Sequence, residues 1–334
     1  MKSVVLLSIV ALSLSITLSA DQDKLIFEEF QQFIKDYGKY YETVDEYMKR
    51  FSIFKRHYLN INSNKANGIE YEEGINEFSD MTPHEFARQY LTLDVSQFDE
   101  NDFTIAKESE LRIPGTYLEK NFDWRTKKVV SGVKDQGRCG SCWAFATISN
   151  LESLYAIKHK KLLTFSEQQL VDCDNLDYSC NGGIMDNAFT WIKKNGGVEK
   201  AADYPYVAKK QTCKQNKSKN VVKVTGFEKL GYTDEQKIKS YLVSHGPLAI
   251  AMNATPLQTY KSGILDKTKA QCNPSGLNHA VVLVGYGYDT AAKKEYWIVR
   301  NSWGTNWGEK GYVRVALGKG VCGINTYVTC GKIQ

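Results

Sequence analysis

Apolar residues near the start of the chain recur every three or four positions, which is the period of an amphipathic helix. Two such runs lie between Lys24 and Asn64, and Gly38 marks the predicted break between two helices. The runs contain Leu25, Phe30, Phe33, Ile34, Tyr37, Tyr47, Phe51, Phe54, Tyr58 and Ile61. Polar and charged residues fill the gaps, so this part of the chain is predicted to be helical.

The pattern becomes irregular after these helices. Residues 74–80 are predicted to form a turn or an extended segment, and Pro83 is predicted to begin another helix. Residues 94–112 are polar and acidic with little periodicity, which is typical of a linker.

Beyond residue 118 the pattern changes to short apolar segments with many glycines. Helices are predicted over Phe145 to Lys158 and from Ser166, where Glu167 suits a first turn. Strands are predicted at Val221 to Val224, Leu248 to Met252, Ala280 to Val284, Tyr296 to Val299 and Tyr312 to Val315. Because helices precede strands, an α+β fold with a helical lobe and a β lobe is favoured.

An apolar run from Val4 to Leu18 follows a lysine and ends in small residues at Ser19 and Ala20. This pattern is typical of a secretory signal peptide over residues 1–20. A buried N-terminal helix is the alternative, and the shortness of the run and the acidic residues after it count against that interpretation. No other run approaches the roughly 18 apolar residues that a membrane-spanning helix needs.

The cysteines and the charges both divide the chain. All eight cysteines lie after residue 138, and secretion would leave most of them in disulfides. Residues 21–117 carry 11 basic and 20 acidic side chains, a net charge of −9, whereas residues 118–334 carry 31 and 18, a net charge of +13. Opposite charges suggest that the front part docks on the back part. Nucleic-acid binding is the rival interpretation, but the lysines are scattered and no RNA-binding motif accompanies them.

Two cysteines lie three residues apart, and they differ in their chemical prospects. The thiolate is the nucleophile, and both a helix N-terminus and a nearby histidine favour it over the thiol. Cys142 lies at the start of a predicted helix, whereas Cys139 lies before the turn. Cys142 is therefore the candidate nucleophile.

One of the five histidines is the best candidate for a general base. His57 and His84 lie in the acidic front part, His159 lies in a cluster of lysines, and His245 lies in a Ser-His-Gly-Pro segment predicted as a turn. His279 directly precedes an apolar run typical of a buried strand, which would hold the imidazole rigidly. Read alone, such a histidine is more often structural.

The segment Asn301 to Gly308 supplies the missing partner. A neutral amide at Asn301 can accept a hydrogen bond from the imidazole, and an indole such as that of Trp303 can cover this bond from water. A glycine-rich loop with core tryptophans is the alternative.

These segments together resemble a known family. Cys139 to Trp143 match a local signature of papain and cathepsin cysteine proteases, and the intervals of 137 residues to His279 and 159 to Asn301 agree with that family. Residues 24–334 resemble a complete papain-family proenzyme of the cathepsin L type. The resemblance implies a papain-like two-lobe fold, with a helical lobe, a β-barrel-like lobe and an active-site cleft between them, preceded by a helical propeptide.

The resemblance also divides the chain and defines its chemistry. It implies a signal peptide over 1–20, an inhibitory propeptide over 21–117 and a peptidase domain over 118–334. Cys142 would be the nucleophile, His279 the acid and base, Asn301 the orienting amide, and Gln136 a donor to the oxyanion beside the Cys142 N–H.

The propeptide motifs of the family are present with two departures. The matching residues are Glu46, Arg50, Phe54 and Ile61 on the helix and Gly74, Asn76, Phe78 and Asp80 after it. His57 and Lys65 stand where the family has asparagine.

The substrate cleft follows from the same resemblance. Gly182 and Gly183 would pair with an extended substrate, Trp303 would shield the His279–Asn301 contact, and Trp307 would line the leaving-group side. The pocket for the second residue upstream of the cut would be formed by Ile184, Met185, Ala251, Leu277, Ala280 and Tyr327. Since these residues are apolar except for one hydroxyl, we expect Leu, Phe or Val there and poor acceptance of Arg.

The resemblance further implies the disulfides Cys139–Cys180, Cys173–Cys213 and Cys272–Cys322, which leaves Cys142 and Cys330 unpaired. A buried bystander thiol is the simplest interpretation of Cys330. Asn216 and Asn253 begin glycosylation sequons.

The chain is thus predicted to be a secreted or lysosomal cysteine endopeptidase, made as a zymogen that acidification activates, with cleavage between Leu111 and Asn121. Its expected partners are protein and peptide substrates, its own propeptide and cystatin-type inhibitors, with no cofactor, metal or nucleic acid, and it is expected to be a monomer. A thiol-disulfide oxidoreductase using Cys139 and Cys142 is the alternative from a different class, although the flanking pattern lacks the βαβ unit it needs. Zinc binding lacks a second Cys or His pair.

Overall fold

The computed structural model describes residues 21–68, 70–97, 104–106 and 118–334. The predicted signal peptide and most of the predicted cleavage stretch lie outside these residues. The described chain forms two compact units. We call residues 21–68 and 73–82 the small unit, and residues 70–72 and 83–334 the large unit.

The small unit contains the two helices that the apolar spacing predicts. Helix α1 covers residues 21–36 and helix α2 covers Val44–Ala66, with Thr43 as the N-cap of α2. Gly38 lies between them at φ +57°, a left-handed conformation that glycine adopts without strain. The buried faces meet in a core of Ile26, Phe30, Phe33 and Phe54.

The segment that follows is more ordered than a linker. Strand β1 is Glu72–Glu73, helix α3 is Pro83–Tyr90 as the proline predicts, and a short 3₁₀ turn covers Val95–Gln97. Strand β2, Thr104–Ala106, lies inside the stretch predicted to be a linker, so that prediction is wrong at these residues. Three residues are too few to show a period.

The large unit contains four further helices. They are α4 (Cys142–His159), α5 (Glu167–Cys173), α6 (Met185–Asn195) and α7 (Glu235–His245). Ser166 caps α5 as predicted, because its Oγ accepts a hydrogen bond from the Gln169 N–H. The prediction that His245 lies in a turn is wrong, because His245 is the last residue of α7. Its ring stacks on that of Tyr241 with a centroid distance of 3.8 Å.

The large unit also contains a nine-stranded sheet. Its remaining strands are β3 (Phe122–Asp123), β4 (Val224–Leu230), β5 (Leu248–Met252), β7 (Ile264–Leu265), β8 (His279–Asp289), β9 (Lys294–Arg300), β10 (Tyr312–Ala316) and β11 (Val328–Ile333), with β6 (Tyr260–Ser262) outside it. The strand order is β2-β4-β11-β5-β8-β9-β10-β7, and β3 pairs with β8. The order begins and ends on different strands, so the sheet of the described chain is open rather than a closed barrel.

Four of the five predicted strands are present at their positions, and the fifth is displaced. The segment Val221 to Val224 contributes only Val224 to β4, whereas Val222 forms an isolated bridge with Val198. Helix α4 is buried on nearly all sides and packs against β5, β8 and β11. The first residue of α4, Cys142, contacts the main chain of Ala280, the second residue of β8.

None of the helices in the described part of the chain has both the length and the apolar character needed to cross a bilayer.

Candidate active site

Cys142 is the first residue of α4 and is completely buried. Its thiol is free, and its sulfur lies against the main chain of Ala280, the residue after His279. Cys139 instead forms a disulfide with Cys180. The two cysteines of the C-x-x-C segment therefore have different partners and cannot act as a dithiol pair in this structure.

His279 is the first residue of β8, and Asn301 directly follows β9. The imidazole Nε2 and the Asn301 Oδ1 are 2.8 Å apart, and both side chains are buried. Asn301 Oδ1 also accepts a hydrogen bond from the Ser302 N–H at 2.8 Å. Because this second donor identifies Oδ1 as the acceptor, Nε2 must donate, and Nδ1 of a neutral ring is left as the proton acceptor.

The pKa values of both groups favour their neutral forms. Burial raises the pKa of the Cys142 thiol to about 11, although hydrogen bonds with the main chain of Ala280 and Trp143 and with Thr92 oppose it. Burial lowers the pKa of His279 to about 4, against the opposing effects of Asn301 and of the Tyr90 main chain. Burial opposes the charge on both groups in this proenzyme, so stabilisation of a thiolate by the helix start and the histidine stays a prediction for the enzyme released from its propeptide.

Gln136 is held in a fixed orientation beside the nucleophile. Its Nε2 donates to the Cys139 carbonyl at 3.0 Å, and its Oε1 accepts from the Ser302 hydroxyl at 2.7 Å. Its main-chain N–H donates to the Ser302 carbonyl at 2.8 Å. The Gln136 side-chain amide is thus fixed by two hydrogen bonds in the segment just before Cys142.

Trp303 lies over the His279 ring, with a centroid distance of 4.8 Å and an interplanar angle of 33°. It also packs edge to face on Phe86 and Tyr90 of α3. Trp307 is fully buried, contacts Trp303 at 5.0 Å, and donates from Nε1 to the Leu257 carbonyl. The indole of Trp303 therefore covers the His279–Asn301 hydrogen bond.

A segment just after α3 forms hydrogen bonds with the chain around these residues. Leu93 forms a parallel bridge with Gly183, and its N–H donates to the Asn278 carbonyl at 3.1 Å. The Thr92 hydroxyl donates to the Gly140 carbonyl at 2.9 Å. Gly182 has φ +123°, and a Cβ there would collide with the Thr92 carbonyl, so the close approach requires glycine.

The predicted pocket residues belong to, or pack against, the large buried apolar cluster of the large unit, and Leu93 is part of the same cluster. The members from the prediction are Ile184, Met185, Ala251, Ala280 and Tyr327, with Leu277 packed against them. The Tyr327 hydroxyl turns away from the apolar side chains and donates to Asp186 Oδ2 at 2.7 Å. Thr92, Leu93, Asn278 and Ser302 are site residues that sequence reasoning missed, and only the apolar alternation of Leu91 and Leu93 hinted at them.

The three disulfides of the structure are those that the resemblance implies: Cys139–Cys180, Cys173–Cys213 and Cys272–Cys322. Cys330 is buried and free, and the Asn150 amide lies 3.6 Å from its sulfur.

The two glycosylation candidates differ in accessibility. Asn216 is exposed, so it stays a predicted acceptor. Asn253 is 8% exposed, and its Nδ2 donates to the Asn273 carbonyl at 3.0 Å. Since the nitrogen that would carry a glycan is hydrogen-bonded inside the fold, the structure argues against Asn253.

Comparison with known families agrees with this geometry. Residues 118–332 match the model described as papain family cysteine protease, and residues 30–86 match the cathepsin propeptide inhibitor domain. The chain belongs to the papain family of cysteine proteases, in the form of a proenzyme that carries a cathepsin-type inhibitory propeptide.

Individual relatives extend over nearly the whole chain. Cysteine proteinase 15A of Pisum sativum is 40% identical over 327 residues, which cover 92% of this chain and 88% of that protein. Cathepsin F of Drosophila melanogaster is 41% identical over 307 residues, covering 90% of this chain and 49% of the longer relative. Among solved structures, digestive procathepsin L2 proteinase from the larval midgut of Tenebrio molitor superposes with a TM-score of 0.86 at 30% identity, covering 92% and 99% of the two chains.

Proposed function

We propose that the chain is a cysteine endopeptidase in which Cys142, His279, Asn301 and Gln136 cleave peptide bonds through an acyl-enzyme. The observation that carries the proposal is the hydrogen bond from His279 Nε2 to Asn301 Oδ1, with the Cys142 sulfur against the adjacent Ala280 main chain. It leaves Nδ1 as the nitrogen that can take the thiol proton.

In the first step, His279 Nδ1 takes the proton of Cys142, and the thiolate attacks the carbonyl carbon of the scissile peptide bond. The oxygen of the tetrahedral intermediate carries the negative charge and accepts hydrogen bonds from the Cys142 N–H and Gln136 Nε2. The intermediate collapses when the imidazolium protonates the leaving amine, so the C–N bond breaks and a thioester remains.

In the second step, His279 accepts a proton from water, and the resulting hydroxide attacks the thioester carbon. Collapse of the second tetrahedral intermediate breaks the C–S bond and releases the carboxylic acid product, and the His279 imidazolium returns its proton to the Cys142 thiolate. Asn301 keeps the imidazole ring in one orientation through both steps, and Trp303 excludes water from the bond that does so.

The propeptide segment around Thr92 and Leu93 keeps the proenzyme inactive. It lies against the substrate-binding glycines and contributes to the burial that holds Cys142 and His279 neutral. Its release would expose both groups to water, and their pKa values would move toward the ion pair. Inhibition thus acts on both substrate access and the protonation state of the nucleophile.

Acidification would favour this release. Glu70 and Glu72, which precede α3, form ion pairs with Lys294 and Lys261. Ion pairs between carboxylates and lysines weaken when acid protonates the carboxylate and when salt screens the charges. Activation of the purified proenzyme should therefore accelerate with both acid and salt, and independence from both would contradict the electrostatic account.

The apolar cluster around Leu93 supports a preference for Leu, Phe or Val as the second residue upstream of the cut. The Tyr327 hydroxyl donates to Asp186, and the other predicted pocket residues are apolar, so none of them carries a charge that could pair with an arginine. A peptide library in which arginine is the best residue at this position would contradict the preference.

The decisive experiment is alkylation of the activated enzyme with an epoxide inhibitor of thiol proteases, followed by peptide mapping. Label on Cys142 with complete loss of peptidase activity is expected. A thiol-disulfide oxidoreductase would instead require reversible redox chemistry between Cys139 and Cys142, which the Cys139–Cys180 disulfide disfavours.

The wider biology rests on the sequence. A signal peptide over 1–20, a propeptide over 21–117 and cleavage between Leu111 and Asn121 would deliver a peptidase domain over 118–334 through the secretory pathway. The enzyme would act in an acidic vesicle or outside the cell. Assays of peptidase activity from pH 4 to pH 8 would distinguish these two locations.

A further inference from the structure

Two buried acidic side chains lie behind the glycines that line the substrate groove. Asp174 follows α5, and Asp177 lies three residues later in the loop that leads to Gly182. Asp174 is 4% exposed and Asp177 is 7% exposed. The chemical steps proposed above use neither carboxyl group.

Asp177 contacts the main chain that flanks the groove. Its Oδ1 accepts a hydrogen bond from the Ile184 N–H at 2.9 Å and from the Asn187 amide at 3.3 Å. A Cβ added to Gly183 would lie 2.7 Å from both Oδ1 and Cγ of Asp177. The carboxyl group therefore packs directly against Gly183, which also forms the bridge with Leu93.

Each carboxyl group has one oxygen that no other described residue satisfies. Asp174 Oδ1 accepts from the Leu176 N–H at 2.8 Å, but the Oδ2 atoms of Asp174 and Asp177 are buried without a partner of that kind. The two carboxyl groups interact with each other. A single proton shared between them would satisfy both oxygens and leave the pair with one negative charge.

We propose that Asp177 is a positioning residue of the substrate groove: its carboxyl group, held to Asp174 by one shared proton, fixes the main chain of Gly182 to Ile184 that receives the substrate. The inference rests on the proposed function, because it takes these glycines to be the substrate-binding segment. It predicts that loss of the shared proton loosens the groove without touching Cys142 or His279.

Among the neighbouring acidic groups, Asp174 is the one that raises the pKa of Asp177. From α5, Asp172 is directed to Tyr204 and Gln168. From α6, Asp186 is directed to Tyr327 and lies 4.0 Å from Lys229.

The other elements at the loop reach it through uncharged groups. From α4, the Trp143 indole donates to the Ser179 carbonyl at 3.2 Å. From the propeptide, Thr92 and Leu93 carry no charge, and Asp94 binds the Ser96 N–H and hydroxyl.

The direction of the pH dependence follows from burial. Burial raises the pKa of Asp177 and raises that of Asp174 to about 7, whereas an unfolded aspartate titrates near pH 3.9. A carboxyl pKa that is raised in the folded state stabilises the fold at low pH, and this contribution is lost as the pH rises through the folded value. Above about pH 7 two charges repel in a buried site, and the groove is expected to loosen.

Three variants of the activated enzyme test the proposal through KM and kcat on a peptide with leucine at the second upstream position. Asp174→Asn and Asp177→Asn keep the shape and the acceptor for Ile184 but remove the second ionisation. Wild-type KM should rise about 3- to 10-fold between pH 5 and pH 8, and either variant should hold KM within about twofold. Asp177→Ala removes the acceptor and should raise KM about 3- to 10-fold at every pH, with kcat within about twofold.

Asp203→Asn is the matched control, since Asp203 is an exposed acid paired with Lys219, and it should keep the wild-type rise of KM. Equal KM profiles for wild type and both asparagine variants would overturn the proposal, as would an unchanged KM in Asp177→Ala. Failure of the proposed function would show earlier and separately, as wild-type enzyme without activity that depends on Cys142. An infrared carboxylic-acid band at about pH 6 that both asparagine variants abolish would support the shared proton independently of activity.

Discussion

In the small unit, Phe30 packs against the rings of Phe33 and Phe54 at centroid distances of 6.0 and 5.2 Å. The large unit buries aromatic rings as well, but three disulfides cross-link its chain. The small unit contains no cysteine. Noncovalent contacts alone therefore hold the propeptide helices together, whereas the peptidase part is constrained covalently.

The polar contacts of the small unit deepen this contrast. Asp80 accepts hydrogen bonds from Lys39 at 3.0 Å and from the Tyr41 hydroxyl at 2.9 Å, and its carbonyl accepts from Arg50 at 2.8 Å. Contacts to a carboxylate weaken when acid protonates it. We therefore expect the small unit to unfold before the large unit, so that full-length proenzyme shows two unfolding transitions.

The largest expected effect concerns the two free thiols of the large unit. Cys142→Ser should lower peptidase activity by at least about 10⁴-fold and leave the proenzyme uncleaved in acid, because serine lacks the thiol nucleophile. Cys330→Ser is the matched control and should stay active, since Cys330 is buried beside Asn150, away from His279. Acid-dependent self-processing by the serine variant at position 142 would contradict the assignment. The inactive proenzyme is also the material in which both transitions can be followed.

Phe30→Ala, made in that inactive proenzyme, should destabilise the small unit by about 3 to 5 kcal/mol, because it leaves a cavity at the centre of the aromatic cluster. Calorimetry should show the first transition lowered or lost and the second unchanged. Leu25→Ala is the control, since Leu25 is 60% exposed and should change stability by less than about 0.5 kcal/mol. An equal shift of both transitions would show that the two units unfold together.

Removal of the Cys173–Cys213 disulfide tests the other side of the comparison. Replacing both cysteines by serine removes a cross-link between positions that are 40 residues apart in the sequence. This change should destabilise the large unit by about 2 to 4 kcal/mol. The second transition should move down while the first stays in place. A second transition that does not move would mean that packing rather than cross-linking holds the large unit.

The comparison also separates what the sequence could predict from what it could not. The helices of the small unit follow from the spacing of residues such as Phe30 and Phe54, since a surface helix shows its buried face as a period. Helix α4 follows from its motif and from the apolar face formed by Ile148, Leu151, Leu154 and Tyr155. Helix α7 was missed because its sequence is largely polar, although Asp234 caps it through bonds to Gln236 and Lys237.

Site residues could be predicted where the chemistry requires a particular side chain. They could not be predicted where segments that are far apart in the sequence come into contact. Cys142, His279 and Asn301 could be picked out because each needs a particular side chain. The contacts of Thr92 and Leu93 with Gly140 and Gly183 could not, since they depend on tertiary packing of the propeptide. The contact of Thr92 with Cys142 depends on the same packing.

The smallest effect tests the acid sensitivity of the small unit at His57, a departure from the family motif. His57 is buried, and its Nε2 lies 2.9 Å from the Met81 carbonyl. Burial lowers the pKa of His57, with Arg56 acting in the same direction and the Met81 carbonyl, Asp80 and Glu73 opposing it. A base with a lowered folded pKa stabilises the fold above its unfolded value, about 6.5, and this contribution is lost as the pH falls.

His57→Gln keeps a donor for the Met81 carbonyl but cannot titrate. In the inactive proenzyme, this variant should remove about 1 kcal/mol of the stability that the first transition loses between about pH 6.5 and pH 5. The second transition should be unaffected, and His84→Gln, at an exposed position, should leave the pH dependence as in wild type. If His57→Gln leaves the slope of stability against pH unchanged, Asp80 and its partners account for the acid sensitivity. If the variant abolishes this slope entirely, those carboxylate contacts do not contribute to it.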